Sequence, residues 1–447
     1  MDADGTLNIF EQRPIWSRLA INLAFCFHLL EPIDIAVTIA KLHDGLETLT
    51  KSFPWIAGQV ITEGRGADDK RGVAKIIPGD DALAVMTKDH RKTPSIHSMQ
   101  ELRERGYSVG MLDESVFAPR PAAVAVPFAA RPVLLVRANI IPGGLVLVLS
   151  GDHAAINMPG LIQISRWFSK ACHNTPFPLS ELEIGNMSRR DLIPLLDSTY
   201  QQGGELAQQV PPTVAPNTPY SRAPCKWSTF KIPACAIDKI KTSATATCTS
   251  PYVSTDDSLS AFVWQSIARA RMQRLAPTTI STAARCVDVR KVLDIPLYYP
   301  GLVQNNLFHK HTLRELSELP LGIVASTFRD AITSRSPSLS FYSRAVATAL
   351  TRSTNKGSLR VGANLDLSSD LLISSFLTSG AYQLDFALDL GLPEAVRLTR
   401  QDAFESMAYL LPFTPDGDAA ILACIRDVDL VALMADEEFS RFAKHMG

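Results

Sequence analysis

The sequence predicts an α/β protein in two domains of similar size, and three observations carry that expectation. A run of apolar β-formers, 145–149, leads through Ser150, Gly151 and Asp152 to His153, after which Leu161, Ile164, Trp167 and Phe168 recur at helical spacing. That pattern is strand, tight turn, helix. The stretch 201–224, with Gly203, Gly204, Pro211, Pro212, Pro216, Pro219 and Pro224 among polar residues, reads as an exposed linker. The 447 residues, 46% of them hydrophobic, are enough to fill two cores. The expected division is 1–195, a crossover linker over 196–226, and 227–447.

Composition narrows the function. A formal net charge of −1 gives no electrostatic reason for a nucleic-acid or acidic-membrane partner. The opening Met1-Asp2-Ala3-Asp4-Gly5 is acidic where a signal peptide is basic, and the apolar run 21–30 is too short to span a bilayer, so the expected setting is cytoplasmic. Seven dispersed cysteines with no C-x-x-C pair read as reduced thiols. His309 and His311 alternate on an expected strand, but no carboxylate or thiol accompanies them at ligand spacing, so no metal is expected. His153 is the candidate for chemistry, because an imidazole with a pKa of about 6.5 is poised to take a proton from a hydroxyl or amine.

The spacing H-x-x-x-N-x-x-G formed by His153, Asn157 and Gly160 resembles the H-x-x-x-D-G signature of the BAHD acyltransferases, which move an acyl group from coenzyme A to an alcohol or amine. Other segments extend the resemblance in order along the chain. Residues 7–12 (Leu-Asn-Ile-Phe-Glu-Gln) look like the family's first strand, and 53–58 (Phe-Pro-Trp-Ile-Ala-Gly) like the turn after its first helix. Segments 169–177 and 189–197 resemble the fungal branch typified by trichothecene 3-O-acetyltransferase. Residues 254–264 match its "S-T-n-D-a-L-s-A-f-l-W" helix start, 287–290 its "v-D-v-R", and 299–305 its "Y-P-G-l-l-Q-N". Residues 369–376 resemble "s-D-l-m-l-S-S-W", and 385–397 the form "D-F-G-x-x-L-G-x-P-x-a-V-R" of the second signature.

The resemblance implies two chloramphenicol-acetyltransferase-like α/β domains with mixed sheets, joined by a crossover, with an inter-domain tunnel and the histidine midway along it. It implies His153 as general base, returning the proton to the departing thiolate, an effect of about 10²–10⁴-fold. Ser374 and Ser375 become the candidate oxyanion donors. Asn157, Gly160, Arg290 and Asp385 become structural support of the site, Asn157 standing where the family's Asp pairs with the arginine. Asn305 and Phe376 become substrate contacts. Acyl-CoA enters as co-substrate with no bound cofactor, and the acceptor is a small-molecule alcohol or amine. A monomer acting in fungal-type secondary metabolism is expected.

Three signature positions depart from the family. Asn157 replaces Asp, so its bond to Arg290 loses one charge; Asp152 or Asp288 is the candidate replacement counter-charge. Ala387 stands where the family has Gly, a position suggesting close approach or unusual φ, and Phe376 replaces Trp, losing an indole donor. These departures admit a second reading: the same chamber repurposed for a coenzyme-A-independent cyclisation, isomerisation or elimination of a biosynthetic intermediate. A third, a condensation-type binding module, is disfavoured because those carry H-H-x-x-x-D-G and here Asp152 precedes His153.

Overall fold

The computed structural model describes residues 5–29, 34–64, 72–79, 82–212, 223–333 and 338–447. Two mixed sheets organise the chain. The first has five strands in the order Ala395–Leu398, Ala20–His28, Gly144–Asp152, Leu134–Ile141, Val85–Asp89, antiparallel except for the last pair. The second has seven: Gln304–Thr312, Ile280–Asp288, Leu371–Ser375, Met407–Leu410, Ala419–Arg426, Cys225–Ile232 and Lys444–His445. Within it Leu371–Ser375 runs parallel to both neighbours. A three-stranded sheet of Val73–Ile77, Gln59–Glu63 and Arg131–Pro132 lies apart. The α/β class with mixed sheets is thus the one the sequence predicts.

The two halves do not separate at the linker as cleanly as the expected boundaries 1–195 and 227–447. Ala395–Leu398 crosses over to become the edge strand of the first sheet, with Leu23 opposite Leu398 and Cys26 opposite Ala395. It covers the long edge of Ala20–His28, which would otherwise present unpaired backbone groups. The chain reaches it through a left-handed passage, with φ of 52° at Phe386, 52° at Ala387, 60° at Asp389 and 75° at Gly391. Ala387 therefore holds a conformation that costs an L-residue about 1–2 kcal/mol, which gives the physical reason for glycine at this position in the family.

Part of the linker also differs from its expected exposure; residues 213–222 lie outside the described residues. Residues Gly204–Leu206 form a 3₁₀ turn, and Leu206 and Gln209 are completely buried. The Gln209 side-chain amide donates to Asn305 Oδ1 at 2.9 Å and to the Tyr342 hydroxyl at 2.6 Å. Glycine and proline mark the turns here, but Leu206 and Gln209 fasten the segment into the core.

The seven-stranded sheet is buried on both faces. Leu371, Ile373 and Ile421 face a layer of helices, Ala234–Thr247, Thr255–Arg271 and Leu321–Thr333. The opposite face, with Trp227, Val287 and Leu422, shares one core with Leu23, Leu147 and Trp167 of the first half. Across this seam the helix Met158–Cys172 meets the turn at Tyr299, Pro300 and Gly301. A Cβ at Gly160 would lie 1.8 Å from the Pro300 carbonyl oxygen, so only glycine allows the approach. We predict that Gly160→Ala displaces this turn, lowers stability by about 1–3 kcal/mol and reduces turnover. Calorimetric unfolding beside an activity assay checks it, and an unchanged Tm would show that the seam yields there at no cost.

Candidate active site

His153 follows directly on Gly144–Asp152, an interior strand of the first sheet in which every residue is buried. The turn is held by its own backbone and by Asp152. His153 N–H donates to the Leu19 carbonyl at 3.0 Å, and the N–H groups of Ala155 and Ile156 donate to the Asp152 carbonyl at 3.0 Å each. The Asp152 carboxylate accepts from Ala154 N–H at 3.0 Å and from Arg131, through Nε at 2.5 Å and Nη2 at 3.3 Å. Asp152 and Arg131 are both buried, so removing either would leave an uncompensated charge in the interior. Asp152 is thus the partner of Arg131 and not of Arg290.

The imidazole of His153 lies against the Trp16 indole, with ring centroids 4.7 Å apart and planes inclined by 31°. Burial lowers its pKa to about 4, outweighing the Asp152 charge that acts in the opposite direction. The ring is therefore neutral at physiological pH and able to accept a proton.

Beneath the histidine turn sits a second node. Asn157 caps the helix Met158–Cys172, its Oδ1 accepting from Gly160 N–H at 3.1 Å. The same oxygen accepts from Arg290 Nη2 at 3.1 Å, and Nδ2 donates to Gln304 Oε1 at 3.3 Å. Arg290 is completely buried. Its Nε donates to the Tyr299 carbonyl at 3.0 Å, Nη2 to the Gly301 carbonyl at 2.5 Å, and Nη1 to Asp288 Oδ2 at 2.7 Å. Asp288 is therefore the counter-charge that the Asn157 substitution left in question.

The two candidate oxyanion serines part company, because successive side chains of a strand point to opposite faces. Ser375 shares the face of Leu371 and Ile373, and its hydroxyl donates to Asp256, which is itself paired with Arg285. Ser374 lies on the other face, in register with Tyr409, which packs on the core shared with the first half. The Ser374 hydroxyl has no hydrogen-bond partner among the described residues. Phe376 is buried with its ring 5.8 Å from Tyr409. Asn305 is turned into the network of Gln209 and Tyr342, and its Nδ2 reaches Ser343 Oγ at 3.5 Å. Asp385 stands at the far end of the histidine helix, where its Oδ1 is 2.6 Å from His173 Nε2 and accepts from Ala387 N–H at 3.2 Å.

Asn157, Gly160 and Arg290 thus meet in one node under His153, and Ser374 and Phe376 belong to the facing sheet. Sequence reasoning missed Trp16, Arg131 and Gln304. For Arg131 the one available signal was Asp152 itself, a carboxylate beside the histidine that needed a partner. His309 is buried against Phe328 at 4.6 Å, and His311 lies 3.7 Å from Glu315 Oε2. Among the described residues no cluster of three or more His, Cys, Asp or Glu could hold a metal. All seven cysteines are free, and no helix among the described residues is long and apolar enough to cross a membrane.

Comparison with known proteins identifies the family. The model of a trichothecene 3-O-acetyltransferase-like N-terminal domain matches residues 19–172, and that of the transferase family matches residues 117–446. An O-acetyltransferase of a Cryptosporiopsis species is 39% identical over 100% of this chain and 98% of its own length. The crystal structure of the Fusarium sporotrichioides trichothecene 3-O-acetyltransferase with coenzyme A and T-2 is 36% identical, covers 99% of this chain and 100% of that one, and superposes with a TM-score of 0.92. The Fusarium graminearum enzyme with coenzyme A and deoxynivalenol superposes with a TM-score of 0.94 at 31% identity, covering 99% and 100% of the two chains. This chain belongs to the transferase family of BAHD acyltransferases.

Proposed function

We propose that the chain transfers an acyl group, acetyl foremost, from acyl-CoA to a hydroxyl of a small fungal-type secondary metabolite, with His153 as general base. The observation that carries this reading is an imidazole kept neutral by burial on a turn clamped by Arg131 through Asp152 and capped below by Asn157. Relatives of the same fold bind coenzyme A together with an alcohol, T-2 or deoxynivalenol. Asp288 at 2.7 Å from Arg290 supports ordinary transfer over a repurposed chamber, because the site keeps a carboxylate on the arginine despite Asn157.

The residues divide the chemistry as follows. His153 takes the acceptor's hydroxyl proton as its oxygen attacks the thioester carbonyl carbon and the C–O bond forms. Ser374 donates to the oxyanion of the tetrahedral intermediate. Collapse breaks the C–S bond, and the imidazolium returns its proton to the thiolate, leaving an ester and the free thiol of coenzyme A. No covalent enzyme intermediate is needed.

Two outcomes test these roles. A general base works only when deprotonated, and burial has moved His153 down from 6.5 to about 4, so the base stays competent as pH falls through the ordinary histidine range. The kcat/KM for acetyl transfer, measured from pH 4 to 8, is expected to lose its acidic limb only below about 5, and His153→Ala to abolish transfer with the fold intact. A limb at the usual histidine value, or a few per cent of activity left in His153→Ala, would remove His153 from the role. Ser374→Ala should lower kcat by about 10²–10³ with Tm unchanged, whereas Ser375→Ala should lower Tm through loss of the Asp256 contact. The reverse pattern would exchange their assignments.

A further inference from the structure

A small cavity of about 20 Å³, room for little more than the oxygens of a ligand, lies beside the histidine turn, lined among others by Gln12, Arg13, Ser17, Arg131, Ala154 and Lys356. Ala154 follows His153 directly, and Ser17 follows Trp16, whose ring lies on the imidazole. The cavity is therefore next to the reacting centre. Its charges do not balance. Arg131 is matched by Asp152, and Glu11, the one acidic residue in the lining, is taken by Arg189 Nη1 at 2.7 Å and the Leu302 N–H at 2.9 Å. Lys356 spends its ammonium on the carbonyls of Leu350 at 2.7 Å and Ser353 at 2.9 Å, with no carboxylate partner among the described residues.

Arg13 is the group left over. The residue is only 3% exposed, yet Nε and Nη2 are enclosed without any hydrogen-bond partner among the described residues. Its stabilising neighbours are the Phe10 ring, 5.5 Å from the guanidinium carbon, and Tyr342, and neither is a hydrogen-bond partner. Burial accordingly weakens its hold on the proton, from the usual value to about 10. A guanidinium is a planar fork of donors that matches two oxygens side by side. An uncharged, apolar acceptor would leave that fork dry and unpaired, whereas an anionic oxygen group would satisfy both orphan donors at once.

We propose that Arg13 is a specificity-determining residue that binds an anionic oxygen group, a carboxylate or an ionised phenol, on the acceptor molecule. The proposal rests on the acyltransferase reading for the word acceptor, but the anion site itself stands on the cavity and the unpaired guanidinium. It names a substrate class different in charge from T-2 and deoxynivalenol, the molecules bound in the Fusarium complexes.

The test is a binding measurement that needs no coenzyme A. Benzoate against methyl benzoate, and 4-nitrophenolate against 4-nitroanisole, are titrated calorimetrically into wild type, Arg13→Met and Arg13→Lys at pH 8.5, where both acids are ionised. In the wild type the anion of at least one pair should bind at least about 10-fold more tightly than its neutral partner, and which pair responds tells carboxylate from phenolate. Arg13→Met should erase the preference and Arg13→Lys keep part of it, circular dichroism confirming the fold. Equal binding of anion and neutral partner by the wild type overturns the proposal whether or not the variants fold, as does a preference that survives Arg13→Met. Acetyl-CoA turnover of deoxynivalenol is assayed alongside. An Arg13-dependent anion preference with no acetyl transfer to any acceptor would support the anion site and count against the acyltransferase reading alone.

Discussion

The site depends on one completely buried guanidinium, that of Arg290. It lies where the end of the strand Ile280–Asp288, the turn Tyr299 to Gly301 and the cap of the histidine helix converge. A charge so placed is costly unless its donors are met, and here the carbonyls of Tyr299 and Gly301, the amide of Asn157 and the carboxylate of Asp288 meet them. Every one of these acceptors belongs to a segment that must stay in place for His153 to stay in place. Gly160 lets the two segments touch, and Asn157, by accepting from both Gly160 and Arg290, couples the helix cap to the arginine.

Two further buried pairs hold the histidine turn from the other side. Arg131 grips Asp152 immediately before His153, and Arg189 joins Glu11 to the carbonyl of Ala155, donating to Glu11 at 2.7 Å and to Ala155 at 2.6 Å. On the imidazole, the pull of the nearby Asp152 charge toward the protonated form is outweighed by burial. Rigid placement and neutrality therefore have a common origin: the surrounding charges are spent on the scaffold, and the ring sees mostly burial. Arg13 departs from this economy, since nothing in the described chain spends its charge.

What the sequence revealed was local or carried by family motifs. The strand, turn and helix around His153 follow from apolar periodicity over a short window, and Asn157 with Arg290 followed from two signatures far apart in the chain. Asp288 was one of two candidates, and geometry chooses it because Asp152 is already taken by Arg131. The roles of Ser374 and Ser375 could not be separated in sequence, because strand parity has meaning only once it is known which face the helices cover. The segment 204–210 reads as a tether from its glycines, yet the buried Leu206 side chain and Gln209 amide make it part of the core. The crossing of Ala395–Leu398 to the first sheet leaves no mark in composition at all, and the left-handed φ of Ala387 was hinted at only by the glycine that the family places there.

One carboxylate on Arg290 is enough, and Asp288 provides it now that position 157 carries an amide. A double-mutant cycle tests this directly, with acetyl transfer and Tm as readouts. Asp288→Asn keeps an oxygen for the Arg290 N–H but removes the charge, and should lower both quantities. Asn157→Asp alone should leave transfer near wild type, with the Gln304 amide turning to donate to the new oxygen. Combining the two should restore transfer and Tm, with a coupling energy of about 1–3 kcal/mol. Additive losses in the double variant, or an undamaged Asp288→Asn, would contradict it.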